Sequence, residues 1–297
     1  MKISTNHWLL DKTYEPCTLD ECADILTAAG FDAVDFPVCD WPDQDNVYAT
    51  DDFAQTVLDS AAKLKSHGLT INQTHLPFRP GHYPALGNGS FDDFAEIYIP
   101  MEKRMLELSA ELGARIAVIH LYSGKTLEDT YESNMRYIDA LRPFAESTGV
   151  KIAIENLFGW NQREGIITCG VSTADELCRY ADYGGEMFGV CIDTGHAMLL
   201  GEDPVEMIRR CGKRVIALHI NENPGSRNRD DLHMLPNTMC WSKPTKWEDV
   251  SAALKATGYS GFYNMELIVP YGTPKVAFPA FYAYAGALAR YYAGLAE

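Results

Sequence analysis

Six short apolar runs of this chain each end on a residue of a type that binds metal ions. The segments Ile-Ala-Val-Ile-His120 and Ile-Ala-Ile-Glu155 show the pattern, in which a β-prone run stops at a histidine or a carboxylate. The six terminal residues are His75, His120, Glu155, Asp193, His219 and Glu266. One such residue at a strand end usually has a structural role, but six in the same relative place indicate that the strand ends converge. A parallel barrel has this property, because all of its strands end at one face.

Four of these residues form the strongest candidate site: Glu155, Asp193, His219 and Glu266. Three carboxylates that meet in a barrel mouth repel one another, and like charges about 4 Å apart cost several kcal/mol at an intermediate dielectric. Protons or a divalent cation must balance them, and oxygen and imidazole ligands suit a hard or borderline cation. The alternative is four separate ion pairs or caps, against which the shared position on four strands argues.

Further candidate metal ligands are His75, His120, His196, Asp231 and His233. His196 lies three residues beyond Asp193, in Asp-Thr-Gly-His, just past the predicted strand. In Asp231-Leu-His233, the spacing can bring both side chains to one side of an extended segment. For each residue the alternative is a structural histidine or an ordinary polar loop residue.

Short β-prone runs alternate with longer helical ones along the chain, which is typical of a parallel sheet with crossover helices. The predicted strands are 2–8, 33–37, 70–76, 115–121, 151–157, 188–193, 215–221 and 261–268. The predicted helices are 19–29, 52–66, 91–112, 127–148, 172–183, 204–211, 247–257 and 276–295. Residues 158–170 and 222–246 are predicted loops, and Ser172 is the predicted N-cap of the fifth helix. Near the ends of the first two strands, His7 and Asp35 either face the pocket or pack in the core.

Eight strand–helix units in 297 residues favour an α/β fold with one closed (β/α)8 TIM barrel over an open doubly wound sheet. A Rossmann fold is disfavoured because no strand is followed by Gly-x-Gly-x-x-Gly. No linker or low-complexity segment interrupts the pattern, so we expect a single domain over residues 1–297.

The composition disfavours some partners. A net charge of −16 opposes binding to nucleic acid or to a membrane surface. No apolar run reaches the roughly 20 residues that cross a bilayer, and no signal peptide is evident. The eight cysteines are scattered without a Cys-x-x-Cys pair, which is typical of a reduced, cytoplasmic protein. The Ala-rich, aromatic C-terminal helix could cover the barrel or mediate a homo-oligomer.

Together, these segments resemble the sugar isomerase/epimerase and endonuclease IV superfamily of xylose-isomerase-like TIM barrels. The similar segments are Thr-His75-Leu-Pro, Ile-His120-Leu, Ile-Glu155-Asn, Asp193-Thr-Gly-His196, Leu-His219-Ile, Asp231-Leu-His233 and Met-Glu266-Leu. In members with one metal, the residues matching Glu155, Asp193, His219 and Glu266 hold a divalent ion. In endonuclease IV, nine residues hold three zinc ions, and all nine have matches here: those four with His75, His120, His196, Asp231 and His233.

The chain departs from the family pattern in two places. Many members follow the Asp-x-His loop with a Pro-Gly-x-Gly turn, whereas this chain reads Leu-Pro-Asn-Thr-Met-Cys-Trp-Ser. Ketose epimerases carry a second glutamate six residues beyond the one that matches Glu155, and that position is Asn161 here. A mechanism that relies on this second glutamate is therefore in doubt.

The resemblance implies a divalent-metal-dependent isomerase or epimerase of a small-molecule sugar or sugar phosphate. In this hypothesis the cation is Zn or Mn, with Mg or Co as alternatives. Glu155 and Glu266 are the predicted catalytic residues, which remove and return a proton next to a carbonyl. The predicted substrate-binding residues are His196, Arg227 and Arg229. Two alternatives remain: a zinc phosphodiesterase acting on abasic DNA, and a barrel that binds metal or sugar without catalysis.

Overall fold

The computed structural model describes residues 1–7, 17–40, 51–78, 90–161, 165–225, 231–238 and 245–297. Strands and helices alternate over these residues. The strands are β1 Ile3–Asn6, β2 Ala33–Pro37, β3 Thr70–His75, β4 Ile116–Ile119, β5 Lys151–Glu155, β6 Gly159–Asn161, β7 Gly165–Ile167, β8 Phe188–Asp193, β9 Val215–His219 and β10 Tyr263–Met265. The helices are α1 Leu19–Ala28, α2 Asp51–Ser66, α3 Phe91–Glu111, α4 Leu127–Thr148, α5 Ala174–Gly184, α6 Thr194–Leu200, α7 Pro204–Cys211, α8 Trp247–Thr257 and α9 Phe278–Leu295.

Eight of the strands form one parallel sheet that curves into a barrel. Their order is β10-β1-β2-β3-β4-β5-β8-β9, and every neighbouring pair is parallel. Ile220, the residue after β9, joins the two ends of this order, because its N–H donates to Asn264 O at 2.8 Å and its carbonyl accepts from Glu266 N at 3.2 Å. The predicted (β/α)8 TIM barrel is therefore confirmed.

The barrel interior explains why the polar strand ends point inward. Four small apolar side chains from neighbouring strands pack together inside: Val118, Ala153, Cys191 and Ala217. Side chains two residues apart along a strand share a face. The residues two positions further along are His120, Glu155, Asp193 and His219. The same alternation that places the small side chains inside the barrel therefore directs these four towards its upper interior.

Three local features differ from the sequence prediction. Residues 158–170, predicted as a loop, contain the antiparallel hairpin β6–β7. His196 lies in helix α6, which starts directly after β8, and not in a loop. Thr173 replaces Ser172 as the N-cap of α5, because Thr173 forms a capping box with Glu176 while the Ser172 hydroxyl accepts from Cys169 N. Local turn chemistry, which the hydrophobic pattern does not encode, decides all three.

The outer helices pack on the barrel through a large apolar core, and none that the described residues form is long and apolar enough to span a membrane. Helix α9 packs against α1, α8 and β10 and so covers the region where the first and last strands meet. Its opposite side exposes Tyr284, Tyr291 and Leu295.

One charged group lies buried in the helical layer, and it allows a stability prediction. Glu102 of α3 is fully buried, and neither of its carboxylate oxygens makes a hydrogen bond within the described structure. Burial raises the pKa of Glu102 well above its ordinary 4.5, and the neighbouring Tyr137 hydroxyl, although its geometry falls short of a good hydrogen bond, offsets only part of this effect. The folded protein therefore holds this carboxyl protonated, whereas the unfolded chain releases the proton once the pH passes 4.5.

Because the folded pKa is raised, the stability that protonated Glu102 contributes is complete below pH 4.5 and declines as the pH rises towards the folded pKa. We expect Glu102→Gln to raise the melting temperature at pH 8 by about 2 °C or more, the shift that about 1 kcal/mol produces in a large domain. Thermal unfolding between pH 5 and pH 8 measures this difference, which should shrink towards pH 5. A difference that does not change with pH would contradict the assignment.

Candidate functional site

The structure brings together all nine predicted ligands at the carboxyl-terminal mouth of the barrel. Four of them are the last residues of β3, β5, β8 and β9, namely His75, Glu155, Asp193 and His219. Two follow directly after β4 and β10, namely His120 and Glu266. His196 comes from α6, and Asp231 with His233 comes from the segment after β9. Seven of the nine are buried; His120 and Asp231 are partly exposed.

Glu155 lies at the centre of this cluster, because its two oxygens face four imidazoles. Its Oε2 lies 3.1 Å from His120 Nε2 and 3.3 Å from His75 Nε2. Its Oε1 lies 3.2 Å from His219 Nδ1 and 3.3 Å from His196 Nδ1. One buried carboxylate therefore connects residues from five parts of the chain.

Two further carboxylates extend the cluster on the side of β10. Glu266 Oε2 lies 3.2 Å from His219 Nδ1 and 3.1 Å from His233 Nδ1. Asp231 Oδ2 lies 3.0 Å from His196 Nε2 and 2.9 Å from His233 Nε2. His233 therefore faces a carboxylate with each ring nitrogen.

Two asparagines, which sequence reasoning did not select, fix Asp193. The Asn156 amide donates to Asp193 O at 2.8 Å and accepts from Asp193 N at 2.7 Å. Asn221 Nδ2 donates to Asp193 Oδ2 at 3.0 Å, and the backbone N–H of His196 donates to Oδ1 at 2.7 Å. The signal was present in the sequence, because Asn156 directly follows Glu155 and Asn221 follows His219 by two positions.

These side chains form four groups, and within each group the ligand atoms all lie within 4.8 Å of one another. One group is the predicted quartet, Glu155, Asp193, His219 and Glu266. The other groups are His75, His120 and Glu155; Asp193, His196 and His233; and His75, His219 and Glu266. Five residues each belong to two groups: Glu155, Asp193, Glu266, His75 and His219. The geometry therefore provides more than one place where a cation could bind, with shared carboxylates between them.

The comparison with known protein families agrees with this arrangement. The model of a family described as xylose isomerase-like TIM barrels matches residues 23–280. The chain belongs to this family. A curated relative from Sinorhizobium fredii (strain NBRC 101917 / NGR234), the uncharacterized protein y4fM, is 27% identical over 179 residues, which are 57% of this chain and 52% of the relative. The chain thus spans about half the length of the curated relative it matches.

Solved structures show the same xylose isomerase-like fold over the whole chain. A D-psicose 3-epimerase, solved in the presence of D-fructose, has a TM-score of 0.72 at 16% identity and covers 100% of both chains. The IolI protein, solved with a binding zinc atom, has a TM-score of 0.67 at 17% identity, covering 100% of this chain and 98% of that one. At such low identity, the similarity shows the shared fold.

Part of the charge in this xylose isomerase-like site is balanced by a proton on His196 as the residues are arranged here. His196 Nδ1 donates to the Asn156 carbonyl at 2.8 Å, and its Nε2 donates to Asp231 at 3.0 Å. Because a carbonyl and an ionised carboxylate only accept, both ring nitrogens carry hydrogen and the ring is cationic. Burial lowers the pKa of His196, but Asp193 and Asp231 outweigh burial and raise it to about 10.

A similar balance applies to His233 and Glu155. Burial lowers the pKa of His233, but Asp231 and Glu266 outweigh burial and raise it well above the ordinary value. Burial raises the pKa of Glu155, but His219 and His120 outweigh burial and hold it well below the ordinary value. Glu155 is therefore ionised at neutral pH despite being buried, as a metal ligand or a proton acceptor must be.

The segment that carries Asp231 and His233 is held in a strained conformation. His233 has a φ of 41°, in the left-handed region that residues other than glycine seldom adopt. Backbone hydrogen bonds between Glu222 and Met234, and from Ile268 N to His233 O at 3.1 Å, hold the segment in place. Strain of this kind persists only where the surrounding structure enforces it, and it is common at functional sites.

The remaining predicted residues divide into two groups. Arg227 and Arg229, the predicted substrate-binding arginines, lie outside the described residues. His7 and Asp35, which the sequence left open, are both buried. The His7 ring packs on Phe36 at 4.8 Å between centroids, and burial lowers the pKa of His7 to about 4, so it is neutral. The Asp35 side chain contacts His219.

Proposed function

We propose that the chain is a divalent-metal-dependent isomerase or epimerase of a sugar or sugar phosphate, acting by proton transfer next to a carbonyl. The observation that carries the proposal is the convergence of Glu155, Asp193, His219 and Glu266 at the barrel mouth, with ligand atoms within 4.8 Å of one another. The sugar epimerase and the zinc-containing protein with the same fold support it.

The donor atoms fit a divalent cation. His219 Nδ1 and Glu266 Oε2 are buried and make no hydrogen bond of acceptable geometry within the described structure, although they lie 3.2 Å apart. Two buried metal-ligand atoms that face each other in this way are expected where a cation binds between them. Carboxylate and imidazole ligands without a thiolate favour Zn or Mn, and allow Mg or Co. The quartet would hold the ion, which supplies Lewis-acid polarisation of a substrate carbonyl.

Proton transfer is assigned to Glu155 and Glu266, which enter the site from the end of β5 and from the residue after β10. Each carboxylate has two oxygens, so a glutamate that binds a cation through one oxygen can accept a C–H proton with the other. The low pKa of both groups keeps them ionised at neutral pH. Because Asn161 stands where ketose epimerases carry their second glutamate, the transfer rests on these two residues. In this proposal His196, Arg227 and Arg229 bind substrate oxygens.

A second candidate function has its own supporting observation. Two groups of candidate ligands exist in addition to the quartet, one containing His75 and His120 and the other containing His196 and His233. All nine residues that match the endonuclease IV ligands therefore converge. This set suits a zinc phosphodiesterase that acts on abasic DNA. The net charge of −16 opposes the approach of a polyanion, so we rank this function second.

Removing and restoring the cation distinguishes these functions. We expect chelation to abolish turnover of at least one member of a panel of ketoses and aldoses, and added Zn²⁺ or Mn²⁺ to restore it. Product chromatography measures turnover, and elemental analysis should find close to one ion per chain for the isomerase and up to three zinc ions for the phosphodiesterase. Inactivity on every sugar together with cleavage of an abasic duplex would reverse our ranking. Sugar binding without turnover under any of the four metals would indicate a non-catalytic barrel.

A further inference from the structure

A buried carboxylate outside the nine candidate ligands, that of Asp35, contacts the site directly through His219. Asp35, in β2, lies inside the barrel and is almost fully buried. Its Oδ2 accepts three hydrogen bonds, from Gln73 Nε2 at 2.7 Å, Asn264 Nδ2 at 3.0 Å and His219 Nε2 at 3.1 Å. A buried carboxyl oxygen needs hydrogen-bond donors to replace its lost contacts with water. Here two neutral amides and one imidazole supply them.

The two amides hold the Asp35 carboxylate in a fixed orientation. The Ser4 hydroxyl donates to Asn264 Oδ1 at 2.7 Å, which turns the amide nitrogen of Asn264 towards Asp35. Gln73 approaches from the neighbouring strand β3. Strands β1, β2, β3, β9 and β10 therefore all contribute to one polar layer, which lies below the proposed metal ligands.

The contact with Asp35 decides which nitrogen of His219 carries hydrogen. Asp35 Oδ2 also accepts from the Gln73 and Asn264 amides, so it is the acceptor in this pair and His219 Nε2 is the donor. The other nitrogen, Nδ1, points towards Glu155 Oε1 and Glu266 Oε2, each at 3.2 Å. With Nε2 occupied below, His219 presents Nδ1, and only Nδ1, to the carboxylates of the quartet.

We propose that Asp35 is the positioning residue of the metal centre: it holds His219 as the tautomer with hydrogen on Nε2, so that the Nδ1 lone pair is available to the divalent cation. This inference rests on the proposed function, because it assigns a role towards the same cation. Carboxylates that orient metal-binding histidines also increase their basicity, and replacing such partners typically weakens metal binding about 10- to 100-fold.

Zinc binding to the full-length chain tests the role of Asp35. The protein is stripped with a chelator, and its Zn²⁺ affinity is measured by competition with a chromophoric chelator for the wild type, Asp35→Ala, Asp35→Asn and Ser109→Ala. We expect Asp35→Ala to weaken one Zn²⁺ binding step about 10- to 100-fold. Asp35→Asn keeps an oxygen that can accept from His219, so it should recover part of this loss.

Ser109→Ala is the matched control, because Ser109 is buried and its hydroxyl bonds to Thr74 at 2.7 Å and to Met105 O at 2.6 Å, whereas none of its hydrogen bonds within the described structure involves His219. It should lower the melting temperature without changing the Zn²⁺ affinity. If Asp35→Ala does not fold, Asp35→Asn decides the question through a smaller loss of affinity. Wild-type affinity in the Asp35 variants overturns the role of Asp35 alone. Equal losses in both Asp35 variants and in Ser109→Ala also overturn it, since they indicate a general loss of stability. Absence of Zn²⁺ binding by the wild type overturns the proposed function as well.

Discussion

Glu155→Gln is expected to reduce metal-dependent sugar turnover by at least about 10²-fold, and by up to about 10⁴-fold if Glu155 is the base that removes the proton. The amide has nearly the same shape as the carboxylate but no negative charge, so it can neither accept the proton nor balance a divalent cation. Glu155 faces four imidazoles at 3.1–3.3 Å and belongs to two of the possible cation sites, a combination that no other residue in the described part of the chain shows. Turnover of the sugar that the wild type converts, with Zn²⁺ or Mn²⁺ added at increasing concentration, measures the loss.

Glu102→Gln provides the matched control for this substitution, because Glu102 is equally buried but lies in the helical layer. It should retain turnover and cation affinity. If excess cation restores Glu155→Gln, the side chain acts mainly as a ligand; if the cation binds and turnover stays low, it acts as the base. Full activity of Glu155→Gln at ordinary cation concentration would contradict the assignment of the site.

The barrel and the convergence of the polar strand ends at its mouth could both be predicted from the sequence, because each depends on a short-range pattern. An apolar strand with period-two alternation places its last polar residue on the same face as the small residue two positions earlier. Ala153 and Glu155, or Ala217 and His219, show this relation within one strand. Parallel strands of a closed barrel then bring such ends together without further information.

The partners that fix those residues could not be predicted in the same way. Asp35 and His219 are 184 positions apart in the sequence, and their contact depends on which strands become neighbours across the barrel and on the rotamers of both side chains. The sequence marks Asn156 and Asn221 only by their positions close to Glu155 and His219, and it does not show that both contact Asp193. Helix α6 was missed because the seven residues that form it offer too little periodicity to stand out from a loop.

The number of bound cations also cannot be derived from the sequence. The same nine residues can form one site or several, depending on which oxygen of Glu155 and Asp193 faces which imidazole. The structure places separate histidine groups on the two oxygens of Glu155. This arrangement permits shared ligands, and the stoichiometry measurement is needed to count the ions.

Gly195→Ala is expected to damage the site through packing alone, without removing any ligand. A Cβ atom on Gly195 would overlap Asn221 Oδ1, so Asn221 must move. Its hydrogen bond to Asp193 Oδ2 at 3.0 Å would then be lost. Overpacking costs about 1–3 kcal/mol, and loss of a hydrogen bond to a charged group about 1.5–3 kcal/mol. We expect the melting temperature to fall by about 5–10 °C, and we expect the cation affinity to fall with it.

Gly294→Ala separates this effect from the general effect of adding a methyl group to a helical glycine. Gly294 lies in α9, and a Cβ atom there would have no neighbour within 4 Å. Alanine is the better helix former by about 1 kcal/mol, so Gly294→Ala should raise the melting temperature slightly and leave cation binding unchanged. Thermal unfolding and Zn²⁺ titration of both variants give the comparison. If Gly195→Ala binds Zn²⁺ as tightly as the wild type, the position of Asp193 does not depend on Asn221, and the amide support of the quartet has no functional role.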